Sequence, residues 1–365
     1  MAHRFDTTLT QLLQGEVEAD GLRECNELWA DLRDVAVGGK QFRPLLVLTA
    51  HDALGGQQPR AAHRVAAATE LLHTALLAHD DVIDDDAVRR SRPNVSGRHA
   101  VDALRRGLSE RSAHRYGEAA GILAGDLALV RATCTIATCG APAETVGKLL
   151  ELFDTTIDAS AAGELADVRL GWGLTGAPVT VTEAVRVAEQ KTAAYSFRFP
   201  LRAGALLADA PPAILEPLDA TARRLGIGFQ LVDDLLGVFG DETVTGKSVI
   251  SDLREGKGTA LIAAAATTEQ WPELQPLLGA PDLDDAGAAR ARDLLVRCGA
   301  RRATEELAER HLTEAEDLTA SLPEDLGAAL TTLSRTIRER IPTPAASTPR
   351  CSESARRPAV LARDL

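Results

Sequence analysis

Two groups of aspartates in this chain have the type and spacing to do chemistry. The first, Asp80, Asp81, Asp84, Asp85 and Asp86, follows the run Glu70 to His79, which contains no helix breaker. The second, Asp233 and Asp234, sits in Gly228-Phe-Gln-Leu-Val-Asp-Asp-Leu-Leu236. On a helix Asp80 and Asp84 are one turn apart, and Asp81 and Asp84 share a face. Like charges so placed repel by about 0.2–0.5 kcal/mol per pair. A divalent cation reverses that sign, and oxygen-rich sites suit magnesium, which takes one or two carboxylates, waters and substrate phosphates. In the second group the acids lie among apolar residues, where unpaired charge is expensive, so they too call for a cation.

Cations accompany both groups. His73 and His79 precede the first aspartates, and Arg89-Arg90 and Pro93 follow them. Acids followed by paired arginines suit a phosphate ester, whose oxygens divide between metal and guanidinium forks. Taken alone, the run also reads as a solvated helix end whose arginines answer the C-terminal dipole. The second group weighs against that reading. After it come Thr245-Gly246-Lys247-Ser248 and Asp252-Leu-Arg-Glu-Gly-Lys257-Gly-Thr259, with two glycine-flanked lysines suited to closing over a polyanion. The Gly-Lys-Ser triplet lacks the full glycine-rich phosphate loop and its preceding strand. Gly39-Lys40-Gln-Phe-Arg43-Pro44 places cations at a helix start, where free amides favour anions. Lys191-Thr192 lies inside another helix, among neighbours from Tyr195 to Pro200 that read as packing. Each basic site alone reads as structural; together they ask for a diphosphate.

The elements that position these residues are helical. Alanine, leucine, arginine and glutamate dominate, aromatics are 3%, and no long Val/Ile/Thr-rich alternating segment is present. An all-α chain is expected, with helices over about 6–33, 41–54, 60–86, 114–139, 143–169, 180–204, 212–237, 258–269, 286–317 and 324–340. These form one bundle-like domain over 1–340, followed over 341–365 by a Pro/Ser/Arg-containing tail that reads as disordered. The loops at Gly38-Gly39, Arg92-Pro93-Asn94, Gly171-Trp-Gly173 and Gly237 to Gly258 would gather ligand groups at one end. Of 365 residues 45% are apolar, ample for a core. A net charge of −13 argues against a nucleic-acid surface, so an anionic ligand must be held by local cations or metal. Cys25, Cys134, Cys139, Cys298 and Cys351 are dispersed and odd in number, which reads as reduced thiols of a cytoplasmic protein. The N-terminus has no apolar signal core, and no stretch reads as long and apolar enough to span a bilayer.

The ordered set of motifs resembles the polyprenyl synthetase family of trans-isoprenyl diphosphate synthases, and within it the bacterial geranylgeranyl diphosphate synthases. Those motifs are Gly39-Lys40-x-x-Arg43-Pro44, Asp80-Asp81-x-x-Asp84, Arg89-Arg90, Gly121-x-x-x-Gly125-Asp126, Lys191-Thr192, Phe229-Gln230-x-x-Asp233-Asp234 and Gly246-Lys247 through Lys257. The resemblance implies an isoprenoid synthase helical bundle around a central cavity, and a homodimer. It implies that Lys40, Arg43, His73 and Arg90 hold the diphosphate of isopentenyl diphosphate. Arg89, Lys191, Thr192, Gln230, Lys247 and Lys257 would surround the allylic diphosphate. Asp80, Asp84 and Asp233 would ligate three magnesium ions, with Asp81 and Asp234 supporting them. The implied reaction is ionisation, condensation and elimination, which requires no protein nucleophile.

Three departures from the family pattern matter. The third aspartate of the second motif falls at Gly237, with Asp241 the nearest later acid and a candidate substitute; Ser91 and Asn94 replace a glycine and a threonine; and Gly-Gln-x-x-Asp reads Gly163-Glu164-Leu-Ala-Asp167. The resemblance also implies that Ala75, Leu76 and Leu72 floor the product tunnel. They include no aromatic plug, so a twenty-carbon product is expected, with a farnesyl or longer polyprenyl product as the alternative. The floor could also lie near 149–157. A class I terpene cyclase would not need the Lys40/Arg43 pocket, and a regulatory subunit of a heteromeric synthase rests on Gly237 alone.

Overall fold

The structure is a computed structural model and describes residues 2–13, 22–37, 41–89, 92–174, 176–240 and 250–342. Helices α1 (Ala2–Leu13) and α2 (Arg23–Val37) lead into α3 (Phe42–Ala53) and the 25-residue α4 (Pro59–Ile83). Pro59 at the start of α4 supplies a φ already suited to a helix and lacks only an amide that would have had no partner. A two-residue ladder pairs Val88–Arg89 with Arg92–Pro93, an addition to the all-helical expectation. Next come α5 (Val95–Arg105), α6 (Glu110–Ala137) and α7 (Ala143–Gly171). Helix α5 lies outside the expected set. Its start is fixed by Asn94, whose side chain accepts from the Gly97 amide at 2.8 Å.

Helix α8 (Val181–Val187) opens on a Thr180/Glu183 capping box, continues without a break into a π-helical stretch over Ala188–Arg198, and becomes α9 (Phe199–Leu207). The 28-residue α10 (Pro212–Phe239) follows. Short helices α11 (Ser251–Glu255), α12 (Ala260–Ala265) and α13 (Trp271–Leu274) lead to α14 (Asp285–Arg297), α15 (Ala300–Thr319) and α16 (Glu324–Arg338). The single helix expected over 286–317 is two, divided at Gly299, whose φ of 79° leaves the helical region. The segment expected as one helix over 6–33 contains α1 and α2, with Leu22 outside both. The expected tail lies outside the described residues from 343 onward.

Packing follows residue size. The alanine face of α4 lies against Ala120, Ala124, Ala128 and Ala132 of α6, all buried and spaced one turn apart. Residues of α1, α2, α4, α6, α7 and α9 share one apolar cluster, and α3, α9, α10, α15 and α16 share a second. Contrary to the expectation from sequence, α6 is by length and composition apolar enough to cross a membrane; here it packs on α4 and α5.

Two glycines let α7 and α10 approach the π-helical stretch from either side. A Cβ on Gly163 would collide with the Lys191 backbone nitrogen, and one on Gly226 would collide with Ala193. Gly226→Val is therefore expected to destabilise the fold by about 1–3 kcal/mol through overpacking. Urea unfolding monitored by circular dichroism checks this; unchanged stability would show that the contact relaxes freely.

Candidate active site

The first acid group sits where α4 runs out. Ile83 is its last residue, Asp84 is the C-cap, and Asp85, at φ 58°, adopts the left-handed conformation. One oxygen each from Asp80, Asp84 and the α7 residue Glu164 lie within 4.8 Å of one another. Three convergent hard oxygen donors fit a magnesium ion, whose charge would relieve their crowding. Burial pushes Glu164 up to about 7, with the charge of Asp80 adding to burial and Lys191 opposing it. Asp84 is also raised by burial, against the pull of Lys257. At Asp80 burial acts upward too, but Lys191, Arg89 and Lys257 outweigh it and hold the carboxyl below its ordinary value.

Three cations occupy these acids. Arg89 donates Nε to Asp81 Oδ1 at 2.7 Å and Nη2 to Asp80 Oδ2 at 3.1 Å. Lys191 Nζ lies 2.9 Å from Glu164 Oε1, 2.8 Å from Asp167 Oδ2 and 3.2 Å from Asp80 Oδ1. Lys257 Nζ lies 3.2 Å from Asp84 Oδ2 and 2.8 Å from Glu255 Oε2. Burial alone would lower both ammonium groups. Their carboxylate neighbours reverse this and raise them well above the usual lysine range, so both stay charged.

A hydrogen-bonded chain ties the π-helical stretch to the second acid group. Thr192 Oγ1 donates to Gln230 Oε1 at 2.6 Å, and Gln230 Nε2 donates to Asp234 Oδ1 at 2.7 Å. Burial drives Asp234 up to about 8, opposed by the Gln230 amide and reinforced by Asp233, Asp252 and Asp167. Asp233 lies beside it on α10, half-buried.

Arg43 forms a separate basic site. It is buried; its Nε donates to Ser196 Oγ at 2.9 Å and Nη2 to Tyr195 Oη at 3.3 Å. Its guanidinium also lies over the rings of Phe42 and Tyr195, and His73 stacks on Tyr195 at 5.9 Å between centroids. No carboxylate among the described residues pairs with Arg43. A buried cation with only neutral partners is set for an anionic ligand.

The structure thus brings Asp80, Asp81, Asp84, Arg89, Lys191 and Lys257 into one network, joins Thr192, Gln230 and Asp234 in another, and sets Arg43 with His73. Lys40, Arg90, Asp241 and Lys247 lie outside the described residues. Sequence reasoning missed Tyr195 and Ser196, read as packing but holding Arg43, and the membership of Glu164 in the acid group. The one sign of the latter was a carboxylate where the family pattern has an amide. Leu72 and Ala75 are fully buried and Leu76 half-buried. They share an apolar cluster with Phe153 of α7 and Phe199, whose rings meet edge to face at 5.6 Å.

Comparison with known proteins agrees with this geometry. A family model described as Polyprenyl synthetase matches residues 28–294. A geranylgeranyl diphosphate synthase of Saccharolobus solfataricus is 33% identical over 71% of this chain and 73% of its own length. A (2E,6E)-farnesyl diphosphate synthase of Mycobacterium bovis is 34% identical over 86% of this chain and 83% of its own. The crystal structure of a geranylgeranyl pyrophosphate synthase from Corynebacterium glutamicum, complexed with isoprenyl diphosphate and magnesium, superposes with a TM-score of 0.85. It is 29% identical and covers 93% of this chain and 98% of that one.

A pH dependence follows from the crowded carboxyls. Glu164 and Asp234 bind protons more tightly in the folded metal-free protein than at their ordinary values of 4.5 and 3.8. Their stabilising contribution is complete below those values and is lost as pH rises through about 7 and about 8. The loss is at most about 1.4 kcal/mol per pH unit for each group. Asp234→Asn is expected to flatten the decline in urea-unfolding stability across that window. A slope equal to that of the wild type would remove Asp234 as its source.

Proposed function

The chain belongs to the polyprenyl synthetase family and is a prenyltransferase, a trans-prenyl diphosphate synthase; from that premise we propose that it condenses isopentenyl diphosphate with an allylic diphosphate to make geranylgeranyl diphosphate, with three magnesium ions. The observation that carries this reading is the convergence of Arg89, Lys191 and Lys257 on Asp80, Asp81 and Asp84, with a buried Arg43 that among the described residues pairs only with neutral groups.

Asp80, Asp84 and Asp233 are the proposed metal ligands, with Asp81 and Asp234 supporting them and Glu164 added by its place beside Asp80 and Asp84. When bound, magnesium neutralises the allylic diphosphate and stabilises it as a leaving group. With the carboxylates holding metal, Lys191, Lys257 and Arg89 would be free to donate to phosphate oxygens, and Thr192 and Gln230 would bond to the same diphosphate. Arg43 and His73, with Lys40 and Arg90, hold the second diphosphate. Departure of the first diphosphate leaves an allylic cation that the isopentenyl double bond attacks, and the released diphosphate accepts the proton. None of these steps uses a protein nucleophile.

Product length is proposed from α4: Ala75 and Leu72 carry no bulky ring, and Phe153 and Phe199, which meet in the same apolar cluster, are the proposed floor for a longer chain. Incubating the protein with magnesium, isopentenyl diphosphate and allylic starters, then sizing products by mass spectrometry, is expected to give twenty carbons. Ala75→Phe is expected to shorten the product. A farnesyl-only wild-type product would refute the tunnel reading, and no consumption of isopentenyl diphosphate would refute the function.

A second copy of this chain is the proposed partner. Leu123 and Val130 on α6 are 54% and 62% exposed, and with Tyr116, Ile122 and the α5 residues Val101 and Leu104 they leave apolar surface uncovered. Leu123→Glu combined with Val130→Glu is expected to convert a dimer to a monomer in light scattering. An unchanged mass would place the interface elsewhere.

A further inference from the structure

Gly237 marks the place where the second aspartate motif lacks its third carboxylate. It lies inside α10, one turn beyond Asp233, so a side chain there would share the face of the existing acids. The structure fills that place from another element. A Cβ built on Gly237 would collide with Oδ2 of Asp252, whose Cγ lies 2.7 Å and Oδ1 3.5 Å from the same point. A side chain at 237 and the Asp252 carboxylate in this position exclude one another. Asp252 belongs to α11, which packs on α10, and the Lys257 amide donates to the Asp252 carbonyl at 3.4 Å. One short segment thus delivers a carboxylate to the Asp233 side and the Lys257 ammonium to Asp84 on the other.

We propose that Asp252 supplies the third carboxylate of the second metal motif, taking the position that Gly237 leaves open. The inference rests on the magnesium-dependent reading above and deepens it. It replaces Asp241 with a residue that the fold places against the motif. A carboxylate delivered from α11 also joins metal binding to the seating of the segment that carries Lys257, so that acid and cation arrive together.

The alternative is that Asp252 serves only as a neighbour of Lys257, and a rescue separates the two. Binding of Mn2+ in the presence of inorganic pyrophosphate, read by electron paramagnetic resonance, needs no turnover. Asp252→Asn and Asp252→Ala are expected to weaken the pyrophosphate-dependent Mn2+ binding by about 10–100-fold. Adding Gly237→Asp to Asp252→Ala puts a carboxylate back on the α10 face and is expected to restore binding to within a few-fold of wild type. Circular dichroism confirms that each variant is folded, and Asp252→Asn keeps the side-chain shape if the alanine variant is not. Unchanged Mn2+ binding in Asp252→Asn, or no recovery in the Gly237→Asp/Asp252→Ala protein, overturns the proposal. A wild type that binds Mn2+ and pyrophosphate through Asp252 but makes no prenyl diphosphate would sink the function while leaving this assignment in place.

Discussion

The ammonium of Lys191, enclosed by Asp80, Glu164 and Asp167, is the contact on which the site depends. It joins α4, α7 and the π-helical stretch at one point. All four groups are half-buried, so removing Lys191 would leave three crowded carboxylates with partly screened, uncompensated charge. The stretch that carries it has irregular helical spacing, which sets Lys191 and Thr192 toward the acids and Tyr195 and Ser196 toward Arg43. π-Helical segments are rare and concentrate at functional sites, and here one segment reaches both proposed anion positions.

The two positions are poised differently. On the proposed allylic side carboxylates and cations neutralise each other through Arg89–Asp81, Lys191–Glu164 and Lys257–Asp84. In the proposed function metal and diphosphate favour each other's binding, each taking the partner that the other releases. On the proposed homoallylic side Arg43 has hydroxyls and rings for neighbours among the described residues, so a diphosphate would meet a cation that needs no prior release. In this proposal a chain with a net charge of −13 binds two polyanions through local arrangement rather than bulk charge.

Much of this was legible in residue types and spacing. The candidate aspartates at 80, 81, 84, 233 and 234 and the candidate cations at 43, 89, 191 and 257 could be picked out because the proposed metal and diphosphate chemistry demands those groups. The all-helical class was readable from composition and the absence of alternating apolar segments. What escaped reading depends on contacts distant in sequence. Glu164 and Asp167 meet Lys191 only because Gly163 admits the backbone of the π-helical stretch. Asp252 meets Gly237 only after the chain leaves α10 and turns back as α11. Helix α5 was missed although Asn94 caps it, because its polar sequence reads as the loop following the acids.

The central claim is that cations hold the metal-binding carboxylates until a diphosphate draws them away. Calorimetric titration of magnesium, with and without an unreactive thio-analogue of the allylic diphosphate, tests it most directly. The account predicts weak magnesium binding alone and at least about tenfold tighter binding with the analogue, with the same factor recovered when the order of addition is reversed. Equal magnesium affinity in the two titrations would contradict it.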